Sequence, residues 1–122
     1  MADVMQERAG VQVLMCDPDG PKVATEQDAL DLIGAAFPGA EVVAVPAGRL
    51  DPGFFCLGTR FAGEVMQKFV NYRLRLAVVG DISGHLGESS ALRALVRESN
   101  SAGHVWFVPD LEALDEKLRA VA

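Results

Sequence analysis

The segment Leu74-Arg75-Leu76-Ala77-Val78-Val79-Gly80-Asp81 decides the fold class of this chain. The run from Leu74 to Val79, apolar except for Arg75, is typical of a strand that is buried on both faces, as parallel strands covered by helices are. The Gly80-Asp81 pair then ends the run with two turn-forming residues. The sequence therefore predicts a central parallel strand at this position.

Helical patterns flank this strand on both sides. Before it, apolar residues recur in pairs four apart from Phe61 to Val70, and polar residues occupy the other side. After it, Ser89 or Ser90 is suited to cap a helix that ends near Asn100. Because strands and helices alternate, we expect a mostly parallel sheet joined by right-handed crossovers.

The remaining elements continue this alternation along the chain. Thr25 is predicted to cap the first helix, with Asp28 completing a capping box. The other predicted elements are strands at 11–16, 42–45 and 105–108, and a last helix that opens at 109–110.

The N-terminal region is predicted as a hairpin. Residues 22–24 would form a short strand that pairs with residues 11–16, which places the first strand antiparallel at an edge of the sheet. Residues 1–10 lack periodicity and are predicted to be a flexible arm, so that 11–122 form a single α/β domain. The expected sheet has roughly four or five strands and about four helices.

Composition excludes several classes of function. The chain has 122 residues, 50% of them hydrophobic, and a net charge of −6. An acidic balance argues against binding to nucleic acid or to anionic membranes through bulk charge. No apolar run approaches the roughly 20 residues of a membrane helix, and no signal peptide is visible, so a cytoplasmic location is predicted.

The cysteines and histidines predict neither a metal site nor a cofactor. Cys16 and Cys56 have no metal-ligand spacing with each other, with His85 or with His104. In the cytoplasm both thiols are expected to be reduced. The predicted hairpin places Cys16 at the opposite edge of the sheet from Cys56.

Candidate ligand residues follow from the rule that ligands gather at the carboxyl ends of parallel strands. Thr59 and Arg60 precede a helix; the threonine is either a phosphate acceptor, part of an anion site or a plain helix cap. Asp81 and Ser83 follow the central strand; the aspartate is a base, a metal ligand, a phosphate acceptor or part of an Asx turn. No catalytic triad or nucleotide-binding glycine pattern is present, so no catalytic residue is assigned.

The polar side of the helix after Thr59 is a candidate partner surface. It carries Glu64, Gln67, Lys68 and Asn71. Glu64 and Lys68 have the spacing of an ion pair on one helix. We expect a structural or partner-binding role for these residues rather than catalysis.

The block Gln67-Lys68-Phe69-Val70-Asn71-Tyr72, followed by Arg73 to Asp81, resembles a family of small prokaryotic domains of unknown function, numbered 4180. The similarity extends to residues 28–34, to 98–100 and to the closing strand. The chain departs from this family at Cys56, where an acidic residue is usual. The resemblance implies no activity.

The order of elements is also similar to the STAS fold of anti-sigma-factor antagonists. That resemblance implies a regulatory serine or threonine at the start of the helix after the third strand, whose phosphorylation controls binding to a partner kinase. Thr59 is the nearest residue here, but the Asp-Ser-x-Gly turn of that family is absent.

Three hypotheses of function follow. The leading one is a non-enzymatic, cytoplasmic, STAS-like module that regulates by contact with a protein partner. The alternative is a small-molecule or phosphate-binding protein, and possibly an enzyme, that uses Thr59, Asp81 and Ser83. The third is a homodimer formed through an edge strand.

Overall fold

Five strands form one sheet in the computed structural model, which describes residues 3–37 and 39–121. The strands are β1 (Val4–Arg8), β2 (Val11–Met15), β3 (Val42–Pro46), β4 (Arg75–Val79) and β5 (Val105–Val108). Their order in space is β1-β2-β3-β4-β5, with β1 antiparallel to β2 and all later pairs parallel. The predicted α/β class, with an antiparallel N-terminal strand at one edge, is confirmed.

The helices are α1 (Glu26–Ala36), α2 (Phe61–Asn71), α3 (Ser83–Glu88), α4 (Ser90–Ala102) and α5 (Leu111–Val121). Short 3₁₀ turns at Ala47–Arg49, Pro52–Phe55 and Leu57–Thr59 connect β3 to α2. The helix beyond the four expected from the sequence is α3, which lies between the end of β4 and the predicted helix cap at Ser89. Leu86 of α3 packs on the core, and the His85 ring stacks on Phe55 with centroids 4.2 Å apart.

The strand order places the crossover helices on one face of the sheet. Each parallel strand pairs with the next one in sequence, so every right-handed crossover returns on the same side. The core on that face combines α1, α2 and α4 with the sheet and includes Phe54, Phe69 and Leu92. On the opposite face, Leu114 and Leu118 of α5 cover a second cluster that contains Trp106.

The hairpin uses different residues from those predicted. Ala9 and Gly10, with φ of 51° and 83°, join β1 to β2 in a two-residue turn. Positive φ at both central positions matches the twist of paired strands. Residues 1–10, expected to be a flexible arm, thus include β1, and Val23 forms only an isolated parallel bridge with Leu50.

The N-terminal strand is also tied to the last helix. Arg8 Nε and Nη2 donate to the two carboxylate oxygens of Asp115 at 2.7 and 2.9 Å. Arg8 Nη1 donates to Gln6 Oε1 at 2.8 Å. This bidentate pair joins β1 to α5 across the face that α5 covers.

A buried arginine anchors the loop between β2 and α1. Arg49 is only 4% exposed, and its guanidinium donates to Asp3 Oδ1, Asp17 O and Pro21 O at 2.9, 3.2 and 2.9 Å. A Cβ atom at Gly20 would lie 2.8 Å from the guanidinium carbon. The loop therefore packs closely around the Arg49 guanidinium. No sequence pattern indicated that Arg49 is buried.

Replacing Arg49 with methionine should lower the free energy of unfolding by about 2–3 kcal/mol. The substitution keeps an unbranched side chain but removes the positive charge beside the Asp3 carboxylate and the guanidinium hydrogen bonds to two carbonyls; Asp3 Oδ1 keeps only its bond from the Asp17 amide, at 2.8 Å. Chemical denaturation monitored by circular dichroism measures the loss. Arg119→Met, on the exposed side of α5, is the control and should change stability by less than about 0.5 kcal/mol; equal effects of the two variants would contradict the anchoring role.

The predicted capping box at the start of α1 is confirmed. Thr25 Oγ1 accepts from Asp28 N at 3.1 Å, while the Asp28 carboxylate accepts from Ala24 N and Thr25 N at 2.9 and 3.0 Å. The hydrogen bond from the Ala24 amide is the main cause that lowers the pKa of Asp28, and the bonds from Thr25 add to it.

A lowered carboxylate pKa gives this box a defined pH dependence. Its contribution is fully present above the ordinary aspartate pKa of about 3.9 and is lost as the pH falls through the lowered value. Asp28→Asn should therefore be less stable than wild type at neutral pH, and the difference should shrink below about pH 4. Denaturant midpoints measured at both pH values test this; a difference that is independent of pH would refute it.

Candidate functional site

The carboxyl end of the sheet is covered by the chain between β3 and α2. Phe54 and Phe55 of this connection are buried, and the Phe54 ring lies edge-on to Phe61 with centroids 6.2 Å apart. Phe54 also contacts Phe107 of β5, with centroids at 6.4 Å. The 3₁₀ turns therefore close much of the edge at which the sequence placed a ligand site.

The hydroxyl of Thr59 is engaged inside this connection. Thr59 Oγ1 lies 2.7 Å from Gly53 O and 2.9 Å from Cys56 O, so its proton is donated to these carbonyls. It accepts from Phe61 N, the first amide of α2, at 3.2 Å. The residue directly before α2 is Arg60, whose backbone is left-handed with φ of 64° and whose side chain makes no capping bond.

Thr59→Val should destabilise the fold by about 1 kcal/mol, because it keeps the shape of threonine and removes both the donor and the acceptor. Thr59→Ser keeps the hydroxyl and should remain within about 0.5 kcal/mol of wild type. Thermal unfolding of the three proteins compares them. Should serine be damaging and valine neutral, the methyl group rather than the hydroxyl would hold the turn.

Four of the candidate residues meet in one groove. Arg60, Glu64, Gln67 and Lys68 line a cavity of about 540 Å³ together with Leu57, Gly63, Leu95 and Glu26. We call this space between α2 and α4 the α2–α4 groove. Through Gly63, Gln67 and Leu95 it adjoins a further cavity of about 380 Å³, which Met66, Val70 and Ala102 also line.

The groove has an apolar floor and a charged rim. Leu57 and Leu95 are half-buried, and apart from Gly63 itself, its chain neighbours and the nearby backbone of α2, no heavy atom lies within 4 Å of the position that a Cβ at Gly63 would take. Lys68 pairs with Glu26 of α1 at 3.4 Å, not with the expected Glu64. Asn71 accepts from Gln67 Nε2 at 2.8 Å and thus extends this polar surface toward the end of α2.

Asp81 and Ser83 lie elsewhere. They line a separate hollow of about 170 Å³ with Leu86, Val96 and the end of β5, and none of its lining residues is shared with the α2–α4 groove. Asp81 Oδ1 accepts from Ser83 N at 2.9 Å. Hydrogen bonds from the Ser83 side chain and then its backbone lower the pKa of the exposed Asp81 carboxylate. This is the geometry of the Asx turn weighed from the sequence.

The prediction for Cys16 is wrong, because β2 runs parallel to β3 and brings this residue to the carboxyl edge. Its amide donates to Ala44 O at 3.0 Å, and its side chain is buried. Burial, reinforced by the charge of Asp3 and opposed by Arg49, raises the pKa of the thiol to about 12. Cys56 is exposed. Within the described ranges, no three His, Cys, Asp or Glu side chains are grouped as a metal site would require.

At the amino end of β4, the side chain of Arg75 makes contacts within the fold. Its Nε donates to Gly103 O at 2.5 Å, and its guanidinium lies 4.8 Å from the centre of the Trp106 ring. Arg73 adopts the left-handed conformation that ends α2, with φ of 59°. Its amide donates to Val70 O, and the Leu74 amide donates to Phe69 O, which is a Schellman ending with arginine in the usual glycine position.

The fold and the groove define a small mixed-sheet α/β domain with its crossover helices on one face. Residues 8–118 match the family described as Domain of unknown function (DUF4180), and the chain belongs to that family. No curated protein and no solved structure matched the chain. Across the residues that the structure describes, every helix is too short or too polar to cross a membrane.

Proposed function

We propose that this protein is a non-enzymatic, cytoplasmic, STAS-like regulatory module that binds a protein partner through the α2–α4 groove. The observation that carries the proposal is the convergence of Arg60, Glu64, Gln67 and Lys68 on an open groove with a leucine-lined floor. An apolar centre surrounded by a polar rim is the usual composition of a protein interface.

The sheet topology supports a protein contact over a small-molecule site. In open α/β sheets, ligands bind in the crevice where the strand order reverses. Among the five strands described here the order never reverses, so this crevice does not form. The Thr59 hydroxyl and the Asp81 carboxylate are also both used in hydrogen bonds within the fold. This argues further against the alternative of a phosphate or small-molecule site.

Thr59 offers a route for control of the groove. Its neighbour Arg60 lines the groove, and its own hydroxyl bonds Gly53 O and the first amide of α2. A phosphoryl group on Oγ1 would remove the donated proton and face carbonyl oxygens with negative charge. Modification at Thr59 would thus displace the turn that positions Arg60.

The test compares two substitutions at Arg60. Tagged protein is used to recover a partner from the source cells, and its affinity for wild type and variants is then measured by calorimetry with purified components. Arg60→Glu should weaken binding at least about tenfold, or about 1.4 kcal/mol, since arginine is one of the residue types that most often carry interface binding energy and the change reverses its charge. The recovered protein is also analysed by mass spectrometry for phosphate on Thr59.

Arg60→Gly separates binding from folding. Glycine adopts positive φ without strain, so this variant should be as stable as wild type or up to about 1 kcal/mol more stable, yet should lose the partner. Arg119→Glu reverses a charge on α5, on the opposite face of the sheet, and should bind normally. Undiminished affinity of both Arg60 variants would eliminate the groove as the contact.

A further inference from the structure

The two edges of the sheet are finished in different ways. At the β5 edge, Asn100 of α4 donates from Nδ2 to Phe107 O at 3.3 Å and accepts from Phe107 N at 2.8 Å. A side-chain amide therefore takes the place that a neighbouring strand would occupy. Covering an edge in this way blocks pairing with another chain.

The β1 edge has no such cover among the described residues. The tight turn at Ala9-Gly10 makes Arg8 and Val11 the closing pair of the hairpin. The direction of the main-chain hydrogen bonds alternates along an antiparallel strand. The amides and carbonyls of Gln6 and Arg8 therefore bond to β2, while those of Met5 and Glu7 point away from the sheet. Val4 and Met5 are 54% and 41% exposed on the same strand.

We propose that β1 is the interaction surface for a second copy of this chain. The two β1 strands would pair antiparallel about a two-fold axis that passes between their Gln6 residues. Met5 of each copy would then exchange both main-chain hydrogen bonds with Glu7 of the other. Such a self-complementary contact is the usual basis of a closed dimer.

The charges along β1 select this register. An axis at Met5 would place Asp3 opposite Glu7 of the second copy, and an axis at Glu7 would oppose two glutamates. Like charges directly opposite each other destabilise a strand pair. The axis at Gln6 instead places Val4 opposite Arg8 and Met5 opposite Glu7, so each charged side chain meets an uncharged one.

The surroundings of β1 also prepare it for pairing. Arg8 is held by Asp115 and Gln6, which fixes its aliphatic stem on the face that Val4 of the second copy would contact. Val4 lies beside the half-buried Met15 of β2. Pairing would therefore remove apolar surface from water at both ends of the new ladder.

The oligomeric state is tested by sedimentation velocity on the full chain from low to high micromolar concentration. The expected result is a reversible dimer. Hydrogen exchange then locates the contact: the Met5 and Glu7 amides should become protected as concentration rises, while Gln6 and Arg8 should be protected throughout. A monomer at every concentration, or a dimer in which the Met5 and Glu7 amides exchange freely, would overturn the proposal.

A matched pair of substitutions tests the register. Val4→Glu should tighten the dimer by facing Arg8 of the second copy, and Val4→Lys should weaken it, with about a tenfold difference between their dissociation constants. Both change the same exposed position, so effects on the monomer are similar. Met5→Pro removes an outward amide without removing a bond to β2 and should abolish the dimer. Identical behaviour of the two Val4 variants would refute the register.

Discussion

Right-handed crossover in a sheet whose strands follow chain order is the constraint on which the rest of this structure depends. Because each parallel strand lies beside its predecessor, α1, α2 and α4 have to occupy one face. The other face is left for the chain that follows β5, and Leu114 and Leu118 of α5 fill it. The same order removes the crevice where ligands usually bind. The α2–α4 groove, at about 540 Å³, is larger than the hollow of about 170 Å³ that Asp81 and Ser83 line.

Most of the fold could be predicted because apolar patterns report burial. The strand at 105–108 has the predicted bounds, since all its residues are buried. By contrast, β1 escaped prediction because four of its five residues are exposed, so it carries no alternation for a pattern to detect. The sequence analysis instead predicted residues 22–24 as the hairpin partner of residues 11–16. That pairing made the strand at 11–16 antiparallel and therefore placed Cys16 at the wrong edge of the sheet.

The candidate site likewise contains residues whose position follows from local sequence and residues whose position depends on the folded chain. Gln67 and Lys68 could be placed on one polar surface with Glu64 because helical spacing alone brings them together. The separation of Asp81 from Arg60 depends on three 3₁₀ turns whose course is set by Phe54 and Phe55 within the core. Arg49 has no sequence signal, because its burial depends on carbonyls that only the folded loop presents.

The pair between Arg8 and Asp115 has a consequence for the time course of folding. The two residues are 107 positions apart, whereas the sheet is otherwise assembled from strands that are neighbours along the chain. Contacts between distant parts of a chain require the largest loss of loop entropy and tend to form after local ones. The hairpin and successive strand–helix–strand units can thus assemble from nearby segments, and we expect the ion pair between β1 and α5 to form after them. An interaction that forms after the transition state stabilises the folded domain mainly by slowing its unfolding, so we expect this ion pair to have little effect on the folding rate.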